Sequence, residues 1–381
     1  MYLEPNKIEI RGLNLYIRPT YSVLMPKWKT KNLIKTDAQK DNEINLIENK
    51  PQGILSKKSM RQLINSVNWL VAAAKEKWVY DKDTKSRYKF KVNFVTLTLP
   101  SFTQGISDNK FKSVLLHNFI NQMRYRYGLK NFVWKVEAQK NGNIHAHFTT
   151  DTYLPWQGIR EVWNRILLKN GLMEEYTEKH SSMSFNKYCK TYNPKNKIAR
   201  KKMLKRYRKG VSSGWSDPNS TDVRSVYKID DIAAYLAKYM AKDQEERRKI
   251  SGRLWSCSYS ISQANKLTVN IPNEYTYELL QQLNNSMLEK KSISVIDKKT
   301  QEEFHIGSMF FYKINDLRSK GNKILSDIIS MALFKIREGL CMDFEQVVKK
   351  SFEITTYTKS QRESFEKSII YENQYRKTLF N

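Results

Sequence analysis

Cysteine is scarce in this chain of 381 residues. The three present, Cys189, Cys257 and Cys341, are too far apart for zinc-ligand spacing or a disulfide framework. That excludes a disulfide-stapled scaffold and fits a reducing compartment. No apolar signal segment opens the chain and no run of about 18 apolar residues interrupts it, so export and membrane spanning are not expected. A Gly-x-x-x-x-Gly-Lys-[Ser/Thr] phosphate loop is missing too, which removes an ATP-driven motor from consideration. Acidic residues are few beside basic ones: 38 Asp and Glu face 67 Lys and Arg, a formal charge of +29. A surplus of that size points to a polyanionic partner, nucleic acid first.

Histidine is also rare, with five residues, yet two stand one residue apart in Asn143-Ile144-His145-Ala146-His147-Phe148-Thr149. In a strand both imidazoles share one face while Ile144, Ala146 and Phe148 share the other. Val133 to Ala138 reads as the preceding strand, and Lys140-Asn141-Gly142 as hairpin punctuation. A two-residue loop would put Glu137 on the face opposite the histidines. A three-residue loop with Gly142 left-handed sets Glu137 across from His145 and gathers Trp134, Val136, Ala138, Ile144, Ala146 and Phe148 on one apolar face. We prefer this second register. Two imidazoles and a carboxylate suit a divalent ion that polarises a substrate oxygen; the competing reading is a polar hairpin surface with no metal.

Along the chain, residues 1–55 read as an irregular arm with short β-like runs and a Lys/Asp/Asn-rich stretch. Ser56 to Lys77 carries a helical apolar stripe that should pack on a sheet. Phe94 to Pro100 is a strand with Thr96 and Thr98 on one face. Asp108 to Tyr127 and Trp156 to Leu168 read as helices, and Arg253 to Ser260 as a closing strand. Strands with crossing helices around an antiparallel hairpin imply an α+β fold, assigned to residues 56–265. Residues 266–381 read as a helical accessory region, with polar helices at 273–291 and 322–340.

Two further segments carry chemistry. Between Lys187 and Lys209 lie eleven Lys/Arg and no acid, interleaved with Tyr188, Tyr192 and Tyr207. Within this basic insertion, spanning about 180–216, Lys187, Lys190, Arg200, Lys201, Lys202, Lys205, Arg206 and Arg208 are candidate DNA contacts, with Thr96 and Thr98 on the sheet. Its alternative reading is a solvated basic face. Asp230-Asp231 then open a helix whose apolar stripe is Ile232, Leu236, Met240 and Ala233, while Tyr235, Tyr239 and Lys242 fall on a neighbouring stripe. The tyrosines either border a core or look into a groove at the sheet.

Taken in order, Phe94-Val95-Thr96-Leu97-Thr98-Leu99-Pro100, His145-Ala146-His147 with Glu137 eight residues earlier, and Tyr235-Leu236-Ala237-Lys238-Tyr239-Met240-Ala241-Lys242 resemble the HUH superfamily of single-strand DNA endonucleases. Within it they resemble the two-tyrosine rolling-circle initiators of small single-stranded DNA phages. The resemblance covers about 90–260 and departs at Ala146, where the family usually has a bulkier apolar residue. It implies an RRM-like palm, Mg²⁺ or Mn²⁺ on Glu137, His145 and His147, and nucleophilic Tyr235 and Tyr239 assisted by Lys238 and Lys242. It further implies a 5′-phosphotyrosine intermediate, a free 3′-OH primer, a single-stranded or hairpin origin, host helicase and polymerase as partners, and a bacterial cytoplasm. Two alternatives stand beside it: a plasmid relaxase or two-tyrosine transposase of the same chemistry, and a non-catalytic basic DNA-binding or packaging protein.

Overall fold

Val95 and Leu97 alternate with Phe94 and Thr96, and the same two-residue period runs through Val133–Ala138 and Ile144–Thr150. In a computed structural model of the chain these three segments are adjacent strands of one sheet. The structure describes residues 8–17, 21–30, 53, 55–81, 85–100, 103, 105–139, 141–194, 197–226, 236, 248–265, 267–271, 287–296, 303–313 and 323–340.

In chain order the elements are β1 (Ile8–Ile17), β2 (Tyr21–Thr30), α1 (Lys57–Ala73), β3 (Lys77–Asp81), β4 (Ser86–Phe90) and β5 (Val92–Leu97). Next comes α2, running as Asp108–Lys110, a π-helical stretch Phe111–Leu116 and His117–Tyr127, followed by β6 (Phe132–Ala138), β7 (Ile144–Thr150) and α3 (Trp156–Lys169). Three shorter helices, α4 (Glu174–Ser181), α5 (Phe185–Tyr192) and α6 (Lys197–Ser212), precede β8 (Thr221–Val226) and β9 (Trp255–Cys257). The chain continues through α7 (Tyr259–Ala264), β10 (Thr268–Ile271), β11 (Met287–Ile296), β12 (Glu303–Lys313) and α8 (Lys323–Glu338). Among the described residues no helix is long and apolar enough to cross a membrane.

The chain divides into two compact units, one of them Pro51–Val67 with Ala74–Cys257. Its α+β core is a five-stranded antiparallel sheet of order β8-β5-β7-β6-β9. One sheet face, with Val95, Trp134, Val136, Ala146 and Phe148, is buried against Phe111 and Phe119 of α2 and Val162 and Trp163 of α3. Phe119 meets both Phe148 and Trp163 edge-on, at centroid distances of 5.7 and 6.0 Å, a geometry that adds to the area the rings bury. The opposite face carries the hairpin's polar residues. At its β9 edge α1 lies across it: Trp255 Nε1 donates to Ser59 Oγ at 2.7 Å, and Ser66 Oγ reaches Cys257 Sγ at 3.8 Å.

Several boundaries differ from expectation. α1 ends at Ala73 rather than Lys77, because Lys77-Trp78-Val79-Tyr80 takes up strand alternation and pairs with β4. The closing strand shortens to Trp255–Cys257, since Ser258 opens α7. β8 was not anticipated; it completes the sheet beside β5.

The other unit comprises Met1–Lys50, Asn68–Ala73 and Ser258–Asn381. Its described part holds a sheet of order β10-β1-β2-β12-β11. The two β-like runs of the expected arm join into β1, with a register shift between Ile10 and Leu13. β1 pairs with β10 and β2 with β12, so the partners that order this arm come from the far end of the chain. The C-terminal region is correspondingly not all helical: α8 matches the helix expected at 322–340, whereas Met287–Ile296 is a strand of a long hairpin. The remainder of the helix expected at 273–291 lies outside the described residues.

Candidate metal centre and nucleic-acid surface

The β6–β7 register pairs Glu137 with His145 and Lys135 with His147. It is closed by Gln139 N–H donating to Asn143 O at 2.7 Å. Gly142 sits at φ +82°, a left-handed conformation that glycine adopts without steric cost. The three-residue loop therefore puts the carboxylate and both imidazoles on one face.

Their polar atoms converge. His145 Nε2 and His147 Nε2 each lie 2.8 Å from Glu137 Oε1, and one ligand atom from each residue falls within 4.8 Å of the others. Thr96 on β5, opposite His147, places its hydroxyl 3.3 Å from His147 Nδ1. Phe94 stacks on the same imidazole at 5.4 Å. These contacts orient the ring so that Nε2 faces Glu137, the role that neighbours of metal-bound histidines commonly fill. Burial alone would raise the Glu137 carboxyl, but hydrogen bonds and charge from the two imidazoles hold it far below the usual carboxylate range. An ionised carboxylate with two imidazole nitrogens and open positions is a donor set that fits Mg²⁺ or Mn²⁺.

Lys135 and Phe94 were not singled out from the sequence. Lys135 Nζ lies 3.7 Å from Glu137 Oε2, and both side chains are buried. A lysine in alternating strand sequence reads as an exposed residue, and only its pairing with the histidine strand brings it to the centre. Thr98 does not join the triad. It lies just past the end of β5, where its hydroxyl donates to Ser220 O at 2.8 Å and ties the strand to the start of β8.

Tyr235, Tyr239, Lys238 and Lys242 lie outside the described residues. Within their segment Leu236 is helical and fully buried, as the apolar stripe requires. The chain that follows is clasped to the metal-hairpin region. Arg248 Nη1 and Nη2 donate to Asp108 at 3.0 and 2.7 Å, its Nε donates to Gly142 O, and Ser251 N–H donates to Asp108 Oδ2 at 2.9 Å. Burial opposes ionisation of Asp108, but the Arg248 hydrogen bonds and the Ser251 amide outweigh it and hold the carboxyl below its ordinary value. With a depressed folded-state pKa, its contribution to stability is fully present above the unfolded-state value and is lost as pH falls through the folded-state value. Asp108→Ala is therefore expected to lower unfolding free energy near neutral pH by about 1–3 kcal/mol. Urea midpoints measured down a pH series should show the gap to wild type closing under acid conditions.

The basic insertion is a small helical body. His180 is buried among Tyr176, Trp215, Tyr188 and Tyr192, with ring centroids 4.1, 4.8, 6.0 and 6.0 Å away. The Tyr176 carbonyl can only accept, so His180 Nδ1 carries the proton and Nε2 accepts from the Tyr192 hydroxyl at 2.8 Å. A Cβ on Gly210 would sit 2.3 Å from the Trp215 ring, so glycine permits the ring to lie against α6. Tyr188 and Tyr207 turn into this cluster. The tyrosines expected to stack bases thus form the interior that three short helices need. Lys187, Lys190, Arg200, Lys201, Lys202, Lys205, Arg206 and Arg208 remain exposed on α5 and α6.

Residues 92–244 match the replication-associated protein ORF2 family, which supports a role in replication initiation. No curated protein matches the chain, and no solved structure does. The matched span holds the triad, the basic insertion and the tyrosine segment.

Proposed function

We propose that the chain is a rolling-circle replication initiator of the HUH type, a metal-dependent endonuclease and strand transferase acting on single-stranded DNA. The observation that carries this reading is the convergence of His145 Nε2, His147 Nε2 and Glu137 Oε1 inside the span that matches a replication family. Mg²⁺ or Mn²⁺ held there supplies charge that polarises the scissile phosphate. Thr96 and Phe94 hold the His147 ring in the orientation such binding needs.

Tyr235 or Tyr239 supplies the nucleophile. A free phenol has a pKa of about 10, so Lys238 and Lys242 have the task of favouring the phenolate and meeting the phosphate. The tyrosine oxygen bonds to phosphorus as the bond from phosphorus to the 3′ oxygen breaks. That oxygen takes up a proton and leaves as a 3′-OH. The DNA 5′ end stays on the tyrosine, conserving the energy of the broken bond, in accord with a sequence that has no nucleotide-binding loop. The 3′-OH then primes a host polymerase while a host helicase opens the duplex. The second tyrosine cuts after one round, and the first ester is resolved by joining the ends. Cations along α5 and α6 hold the phosphate backbone.

The test is incubation with candidate-origin single-stranded DNA and Mn²⁺, a denaturing gel, and mass spectrometry of the shifted band. A DNA adduct on Tyr235 or Tyr239 that vanishes with EDTA is the expected result. Salt-sensitive binding to origin DNA with no adduct under any divalent metal would overturn the catalytic reading.

A further inference from the structure

β3 and β4 form a two-stranded antiparallel hairpin that no part of the proposed chemistry uses. Its register pairs Trp78 with Lys89 and Tyr80 with Arg87, so these four side chains share one face. That face is open: Trp78 is 65% and Tyr80 53% exposed, and Arg87 and Lys89 are exposed as well. Lys89 Nζ stands 5.8 Å from the centroid of the Trp78 ring, a cation–π arrangement.

The other face anchors the hairpin. Phe90 is fully buried and meets Tyr153 edge-on at 5.4 Å, the Tyr88 hydroxyl donates to that of Tyr153 at 3.0 Å, and Lys77 Nζ donates to Asp151 O at 3.3 Å. The exposed aromatics are therefore displayed on a held support. From Lys77 to Lys91 the chain has six basic residues beyond Lys77 itself and two acids, Asp81 and Asp83.

We infer that the Trp78–Tyr80–Arg87–Lys89 face is a platform for single-stranded DNA beside the cleavage site, with bases stacking on the two rings and phosphates meeting the two cations. Alternating aromatics and cations on one surface match the alternating π-faces and charges of a single strand. A duplex conceals its base faces and has no use for the rings. Position supports the assignment: β4 leads through Lys91 straight into β5, whose Thr96 touches His147. The six residues from Phe90 to Thr96 span at most about 20 Å of extended chain, so one strand can lie on the platform and reach the triad. The hairpin precedes residue 92, where the family match begins. The inference rests on the proposed function for its substrate but uses none of the catalytic residues.

The experiment measures binding of the full chain to a labelled oligo(dT) of about 20 nucleotides and to a duplex of equal length, in EDTA so that cleavage plays no part. Trp78→Ala with Tyr80→Ala is expected to weaken oligo(dT) binding by about tenfold per ring removed, while duplex binding stays within about twofold. Trp78→Phe with Tyr80→Phe is expected to retain most of the affinity. In the unaltered protein, photo-crosslinking to 5-iododeoxyuridine oligonucleotides should map to residues 77–91, a readout that needs no variant to fold. Unchanged oligo(dT) affinity in the alanine pair, equal losses on single strand and duplex, or crosslinks confined to other segments would each overturn the platform. A protein that forms the tyrosine adduct while its alanine pair binds oligo(dT) normally loses the platform alone. One that forms no adduct while its alanine pair loses oligo(dT) binding keeps the platform and loses the endonuclease.

Discussion

Replacing Glu137 by alanine is expected to abolish Mn²⁺-dependent cleavage and, separately, to destabilise the protein without metal by about 3 kcal/mol or more. The two losses have different causes. The first removes the anionic member of the donor set, leaving two neutral imidazoles to hold a hard divalent cation that favours oxygen ligands. The second arises because Lys135 is buried with its ammonium 3.7 Å from Glu137 Oε2. Taking away that carboxylate removes the anion that offsets a buried cation, and a broken buried pair costs more than the intact pair contributes. Calorimetric titration with Mn²⁺ and chemical denaturation in EDTA read the two effects independently. Glu137→Ala combined with Lys135→Met should recover much of the stability and none of the metal binding. His145→Ala should lose metal with a much smaller change in stability, since it leaves the Lys135–Glu137 pair in place. Wild-type stability for Glu137→Ala would show that Lys135 does not depend on Glu137.

The second large effect concerns the nucleophiles. Tyr235→Phe with Tyr239→Phe is expected to reduce cleavage of single-stranded origin DNA by at least about 10⁴-fold, because no other group can form the covalent ester. Each single variant should still cut, through the remaining tyrosine, but should fail to complete the transfer that releases a closed circle. Denaturing gels resolve cleavage, adduct and circular product in one assay. If one single variant cuts like wild type while the other cuts nothing, the tyrosines have fixed roles in place of alternating ones. Binding to the same DNA in EDTA should change little in either variant, because stacking and phosphate contacts do not need the phenol oxygen as a nucleophile.

The elements expected with the least ambiguity were those whose burial repeats within a short window. α2 and α3 follow their apolar stripes, and β6 and β7 follow alternation around a glycine-closed loop. The same local logic placed Glu137 opposite His145, since one residue more or less in the loop moves every side chain to the other face. The local pattern was less informative where aromatics had two uses. Tyr188 and Tyr207 beside lysines suggested a stacking surface, yet they fill the interior around His180 and Trp215. Trp78 and Tyr80 follow directly on a segment whose stripe reads as helix, and they are aromatics left exposed.

By itself, then, the sequence determined the charge of the partner, the strand–helix order of the central unit, and the face on which two histidines and a glutamate meet. These depend on composition and on contacts between residues close in the chain, which periodicity encodes. Tertiary structure alone decided that Lys135 is buried against Glu137, that Phe94 and Thr96 steady His147, and that Arg248 clasps Asp108 across 140 residues. It also decided that β1 and β2 are completed by β10 and β12. Alternation tells a strand which side to bury but carries no information on which distant strand will lie beside it. That choice is made by the packing of the whole sheet.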